Sequence, residues 1–197
     1  MFARDAKNHE EVWLLDRLDE HGFEDPAFRS RDYVLAVDED TNERAGFARF
    51  RVHAGDVTDG DDERVCEFTN IGVLEAWRDR GVGAHLLQYL VEDARDQGFE
   101  GAYALTDEPE YLDQFGFERL EEGALPAPLG DRLEATREYQ ADAEPMHLEF
   151  EQFAIPRRLR RRFEDDRESD DGDDEAETAE DFGIDPESAT YKYDTGG

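Results

Sequence analysis

Residues 78–84 read Arg78-Asp79-Arg80-Gly81-Val82-Gly83-Ala84. Two glycines separated by one residue let the main chain approach a ligand closely. Apolar residues at helical spacing follow, so the turn presents the unpaired N–H groups and positive dipole end of a helix opening at about Gly83. Such an end holds an anion, and a phosphate fits it. Arg78 and Arg80 flank the turn and add charge-assisted contacts if they point inward. The plain structural alternative is a tight strand-to-helix connection. Eleven residues before Arg78 stands Glu67, among Val65, Cys66, Phe68 and Ile71. A carboxyl in an apolar run either faces water at a sheet edge or sits in a cleft with a raised pKa, where it takes a proton near neutral pH.

Two familiar phosphate-binding motifs are excluded by the residues. A Walker loop requires Gly-Lys followed by Ser or Thr, and the only lysines are Lys7 and Lys192. A dinucleotide fingerprint requires a third glycine three residues after Gly83, where the chain has Leu86.

The elements around the turn are clear. A β-branched and aromatic run over 65–73 is a strand, and the apolar spacing after Gly83 is a helix. Residues 102–106 (AYALT) form the next strand, followed by Glu110-Tyr111-Leu112-Asp113-Gln114-Phe115-Gly116-Phe117-Glu118. The Arg-x-x-Gly-x-Gly pattern after a strand ending Asn-Ile-Gly-Val resembles the acetyl-CoA motif of the GNAT N-acetyltransferase superfamily, and residues 110–118 resemble its second signature, a short helix closing on Leu-Gly-Phe. The likeness covers roughly residues 1–120.

That resemblance implies a mixed α/β (α+β) fold: a mostly antiparallel sheet of six or seven strands with a splayed central pair, flanked by helices. It implies acetyl-CoA as cosubstrate and no metal. The pantetheine arm would lie on Ile71, Gly72 and Val73, and the diphosphate on Arg78, Asp79, Arg80, Gly81, Val82, Gly83 and Ala84. Glu67 falls where several members carry a glutamate base. Many members place a thiolate-protonating tyrosine four residues before the signature glycine. Here that position is Leu112, and Tyr111 lies one residue earlier, turned by about 100° on a helix. Residues 103–117 also resemble the acetyltransferase domain of N-acetylglutamate synthases. The acceptor is then a small-molecule or peptide amine, with amino acids, polyamines, antibiotics and protein N-termini all open. The competing reading is a GNAT-like module that senses acyl-CoA, or an interaction scaffold, without turnover.

The 197 residues suffice for one domain and a tail. Formal net charge is −32, and arginine supplies all but two of the 22 basic residues. Such a chain resembles cytoplasmic proteins of extreme halophiles, in which concentrated salt screens self-repulsion. The acidity argues against nonspecific binding of nucleic acid or anionic membrane. The sole cysteine, Cys66, forbids an internal disulfide and is expected to be a buried hydrophobe. With no apolar leader and no long apolar run, the expectation is a cytoplasmic monomer or homodimer.

Along the chain, residues 1–3 are expected as a short strand and 7–18 as a helix, with Asn8 as N-cap and Val12, Leu14, Leu15 and Leu18 as its buried stripe. Phe23, Phe28 and Tyr33 are candidates for the acceptor pocket by the same resemblance, with core packing as the alternative. Residues 32–38 and 45–53 read as an antiparallel hairpin, with Phe47, Phe50 and Val52 on one face and Arg49 and Arg51 on the other. His53 is expected to be structural or solvated. Residues 55–63 form an acidic loop. The anticipated division is a core over 1–120, an extension over 121–163 and an acidic tail over 164–197. The extension holds a helix over 129–140, an added strand over 146–155, and five arginines among residues 157–162. Residues 164–181 carry twelve acids against Arg167, a disordered composition, and 181–197 regain aromatic residues.

Folding is expected to require high salt. Far-UV circular dichroism of the core should collapse on dialysis into dilute buffer, and an unchanged spectrum would contradict the halophile reading.

Overall fold

The computed structural model describes residues 1–54 and 64–159. The acidic loop at 55–63, Arg160, Arg161 and Arg162 of the arginine cluster, and the whole tail lie outside these residues. The described chain builds one seven-stranded sheet. In chain order its elements are β1 (Phe2–Asp5), α1 (Glu11–His21), β2 (Tyr33–Val37), β3 (Arg44–Ala54), β4 (Arg64–Val73), α2 (Val82–Asp96), β5 (Gly101–Thr106), α3 (Pro109–Asp113), β6 (Glu118–Arg119), α4 (Ala127–Arg137) and β7 (Glu144–Glu149). The strand order is β1-β2-β3-β4-β5-β7-β6. Every pairing is antiparallel except β4 with β5.

Two layers of helix bury the sheet. The apolar face of α2 places Leu86, Leu87, Leu90 and Ala94 at zero exposure, and on that side of the sheet Phe50 packs against Phe68 and Phe99. Leu14 and Leu18 of α1 cover the opposite side with Tyr33, Leu35 and Phe47. At about 25 cal/mol per Å² of apolar surface, these leucines and phenylalanines supply the bulk of the stabilisation.

Several expectations change in detail. A short 3₁₀ turn over Asn8–Glu10 precedes α1, and the cap is the Glu10 carboxylate, which accepts from the Lys7 N–H at 2.8 Å, rather than Asn8. Glu10 is also clasped by both terminal nitrogens of Arg4. Val12 and Leu15 are 71% and 44% exposed, because only the Leu14–Leu18 line of α1 faces the sheet. The strand after α4 is not a sheet edge: β7 lies between β5 and β6, so the sheet runs on past residue 120. Arg49 is the clearest departure from simple alternation. It shares the face of Phe47 and is 2% exposed.

Candidate functional site

Two irregularities in β4 make the site. Against β3, Phe47 pairs with Gly72 but Arg49 pairs with Thr69, so Ala48 opposes both Asn70 and Ile71. This is a β-bulge, which bends its strand and increases the twist. Asn70 takes φ 51°, a left-handed conformation that asparagine tolerates better than most residues. Against β5, β4 makes a single register pair, Glu67 with Tyr103. Beyond it the two parallel strands part. Between them opens a cleft of about 1000 Å³, lined by Ile71, Gly72 and Val73 on one wall and Ala104, Leu105 and Thr106 on the other.

A buried polar chain holds the bulge. The Asn70 amide donates to the Tyr33 hydroxyl at 2.8 Å, and that hydroxyl donates to Asp25 at 2.7 Å. Asp25 in turn accepts from Arg49, whose second nitrogen donates to Ala27 O at 3.0 Å and Asp32 at 3.2 Å. Asp25 and Arg49 are each 2% exposed, so neither charge is left uncompensated out of water. The neighbouring Thr69 hydroxyl donates to the Asn70 side-chain oxygen Oδ1 at 3.3 Å.

The far end of the cleft is the glycine turn. Asp79 has φ 61° and Gly81 φ 84°, and Gly81 is the N-cap of α2. The helix opens at Val82, one residue earlier than expected, and its first bond runs from the His85 N–H to Gly81 O at 3.1 Å. None of the amides of residues 79–84 donates to another group of the described chain. Among the described residues these donors are unpaired, several of them at the positive end of a 15-residue helix, whereas the Arg78 N–H, also expected to face the ligand, donates to Glu75 O at 3.3 Å. Arg78, Asp79, Gly81, Val82 and Gly83 line the cleft. Arg80 and Ala84 do not: Arg80 lies over the Trp77 ring at 5.0 Å, and Ala84 is buried beneath the turn.

Tyr111 and Leu112 both line the cleft. The Tyr111 ring packs edge-on against Phe115, and its hydroxyl stands 2.0 Å from where a Cβ on Gly83 would be. The hydroxyl thus covers the first turn of α2. Burial, then the charge of Glu108, pushes its pKa up to about 12 against the opposing pull of Arg158, so it stays protonated at neutral pH.

Glu67 occupies the apex of the fork and is wholly buried. It is absent from the cleft lining. His53 Nε2 donates to one carboxylate oxygen at 2.6 Å, and Arg132 Nε of α4 is 3.5 Å from the other, where neither atom has a hydrogen bond. Burial pushes this carboxyl up, but the hydrogen bond from His53 and the charges of Arg132 and Arg51 outweigh it and hold the pKa below the usual carboxylate range. The expectation of a raised pKa is overturned by these cations.

The remaining candidates divide. Phe23 lines the cleft, whereas Phe28 packs on Tyr33 at 5.5 Å. Tyr33 is a core residue whose hydroxyl serves the polar chain. Cys66 is buried, and burial pushes its thiol up. From the arginine cluster, Arg158 donates to Gln114 and lines the cleft. Among the described residues no group of His, Cys, Asp and Glu is placed to hold a metal, and no helix is long and apolar enough to cross a membrane.

The sequence profile described as the Acetyltransferase (GNAT) family matches residues 2–117, more than half of the chain. The chain belongs to the GNAT acetyltransferase family. Solved structures share the fold at low identity. The N-acetylglutamate synthase of Neisseria gonorrhoeae, solved with coenzyme A and N-acetyl-glutamate, aligns with TM-score 0.60 and 18% identity over 75% of this chain. The chain spans 34% of that synthase. A Mycobacterium tuberculosis protein in complex with CoA aligns with TM-score 0.60 and 17% identity, over 76% of this chain and 99% of its own. A GNAT acetyltransferase from Staphylococcus aureus aligns with TM-score 0.52 and 13% identity, over 75% of this chain and 98% of its own.

Three features of this GNAT site were not foreseen from sequence: the Asp25–Arg49 pair, the His53–Glu67 contact and the approach of Arg132. The first spans 24 positions and the last 65, and no local pattern signals either. The alternation of residues 49, 51 and 53 does put Arg49, Arg51 and His53 on one face, and that was the available signal.

The contact of Tyr111 with Gly83 is testable by a double-mutant cycle. Gly83→Ala should weaken CoA binding by about tenfold, roughly 1.4 kcal/mol, because the new methyl drives the tyrosine into the cleft. Adding Tyr111→Phe removes the hydroxyl, leaving ring carbon at 3.1 Å, and should restore most of the loss. Calorimetry showing equal affinity in all four proteins would contradict the geometry.

Proposed function

We propose that the protein transfers an acetyl group from acetyl-CoA to a primary amine by direct attack within the cleft. The observation that supports this best is the row of free amides at residues 79–84, opening into a fork lined by β4 and β5. The fit is chemical as well as spatial: a diphosphate is an anion that accepts several N–H bonds at once, and Arg78 stands at the same mouth. Ile71, Gly72 and Val73 carry strand N–H and C=O groups on the side where β5 has turned away, and these suit the amide-bearing pantetheine arm.

Bound acetyl-CoA supplies an activated thioester. The chain holds both reactants in one cleft, and orientation of this kind removes much of the entropic cost of their encounter. A main-chain N–H between Ile71 and Val73 polarises the thioester carbonyl. The incoming ammonium must lose a proton before its nitrogen can attack. Glu67 takes it through a water, at the carboxylate oxygen that has no hydrogen bond. The N–C bond then forms as the C–S bond breaks, and the thiolate is protonated from Tyr111 or from solvent.

Its lowered pKa keeps Glu67 ionised well below neutrality. The acidic limb of kcat/KM due to Glu67 should therefore lie below the ordinary glutamate value of 4.5, and any rise of rate nearer neutral pH should follow the acceptor's own ammonium. Glu67→Gln should lower kcat by about a hundredfold or more, with CoA affinity retained. An unaltered rate at every pH would remove Glu67 from the mechanism.

A second reading is an acyl-CoA-binding module without turnover, favoured by two observations. Glu67 is absent from the cleft lining, and the Tyr111 hydroxyl sits at the helix turn. Release of free thiol from acetyl-CoA with a panel of amines supports the transferase, and tight CoA binding without release supports the sensor.

A further inference from the structure

β3 outruns β2. Tyr33 at the start of β2 pairs with Arg49, so residues 50–54 of β3 have β4 on one side and, among the described residues, no strand on the other. A second cavity of about 640 Å³ lies along this edge. On the face shared with Glu67 it is lined by Arg29, Arg31, Arg49 and Arg51, together with His53 and one acid, Asp32, which is taken up by Arg49 and Arg29. The acids Asp5 and Asp93 line the opposite, α2 side, where Asp5 meets the Tyr89 hydroxyl and Asp93 the Gln97 amide.

These cations are not equivalent. Arg49 is committed to Asp25 and Asp32, Arg29 sits 3.7 Å from Asp32, and His53 donates to Glu67. Arg51 has no hydrogen bond or ion pair within the described chain, although it is half-buried. Burial draws its pKa down, Glu67 and more weakly Asp25 draw it up, and Arg49 and Arg132 draw it down, with a net lowering. A guanidinium in that position is incompletely compensated, and an anion entering the cavity would compensate it. Arg31, exposed on the same rim, also has no partner among the described residues.

The position relative to the cleft is what gives this cation a use. Arg51 is the register partner of Glu67, which in turn pairs with Tyr103 where the fork begins. Arg51 does not itself line the cleft, and from its backbone to that of Ile71, where the thioester carbonyl would lie, is one strand spacing and four residues, about 14 Å. An arginine side chain and a small amino acid together span that distance.

We propose that Arg51, assisted by Arg31, is an anion subsite for the acceptor, so that the amine acetylated also carries a carboxylate. This rests on the transferase reading above. Substrates of this class are amino acids; simple amines and polyamines lack the group that Arg51 would bind.

The test is steady-state kinetics with acetyl-CoA and the full chain, at a salt concentration where it is folded. Acceptors are the amino acids, their uncharged carboxamide counterparts, and polyamines. Turnover should be confined to carboxylated acceptors or favour them at least tenfold in kcat/KM. Arg51→Gln should raise KM for the best carboxylated acceptor at least tenfold, with a smaller effect on kcat and CoA affinity by calorimetry unchanged. Arg51→Lys should recover part of the loss, and the exposed Arg31→Gln should raise KM about threefold. Preference for carboxamides or polyamines, or an unchanged KM in both glutamine variants, overturns the subsite while leaving the transferase reading intact. Absence of thiol release with every amine overturns both.

Discussion

A left-handed asparagine inside a buried strand holds this site open. Asn70 sits at φ 51° in the bulge of β4, a conformation that costs about 1 kcal/mol or more for a non-glycine residue. The strain persists because the side chain is over-determined: Tyr33, Asp25 and Arg49 form an unbroken series of hydrogen bonds behind it. Were β4 to run straight, it would continue its parallel pairing with β5 beyond Glu67 and Tyr103, and the cleft between Ile71 and Leu105 would close. The polar chain and the cleft are therefore one device, with the former on the α1 side of the sheet and the latter in its plane.

Charge is distributed against the composition. A chain of net charge −32 concentrates arginines at the centre of its sheet, where Arg49, Arg51 and Arg132, with the His53 ring, surround Asp25 and Glu67. Arginine suits that place because its planar fork satisfies several acceptors at once and stays charged when buried. Exposed acids are screened by salt within a few ångströms, whereas buried pairs are screened far less. The surface acidity and the inner ion pairs thus respond to different conditions. It also follows that Glu67 is an anion held in place by cations, which favours proton movement through water over direct contact with an acceptor.

The local parts of this structure were legible in the sequence and the long-range parts were not. Strand, Gly-x-Gly turn and helix over residues 65–97 follow from periodicity and glycine spacing, and the signatures around Gly83 and Gly116 carried the fold class. The bulge left no signal beyond an asparagine in a β-branched run, and the insertion of β7 between β5 and β6 is a topological choice that alternation cannot report. The alternation of β3 was misjudged because Phe47 and Arg49 share a face, and a buried arginine becomes intelligible only once Asp25, 24 residues away, is seen beside it. Glu67 was picked out correctly as unusual. Its pKa direction could not be read, because it depends on Arg132 from α4 and on His53 across the hairpin.

The central claim is that free main-chain nitrogens at residues 79–84 hold the diphosphate of coenzyme A. Titration calorimetry comparing coenzyme A with pantetheine, which lacks every phosphate, tests it most directly. Charge-assisted hydrogen bonds contribute about 1.5–3 kcal/mol each, so losing two or more should weaken binding by a factor on the order of a hundred or greater. Equal affinity for the two molecules would contradict the account.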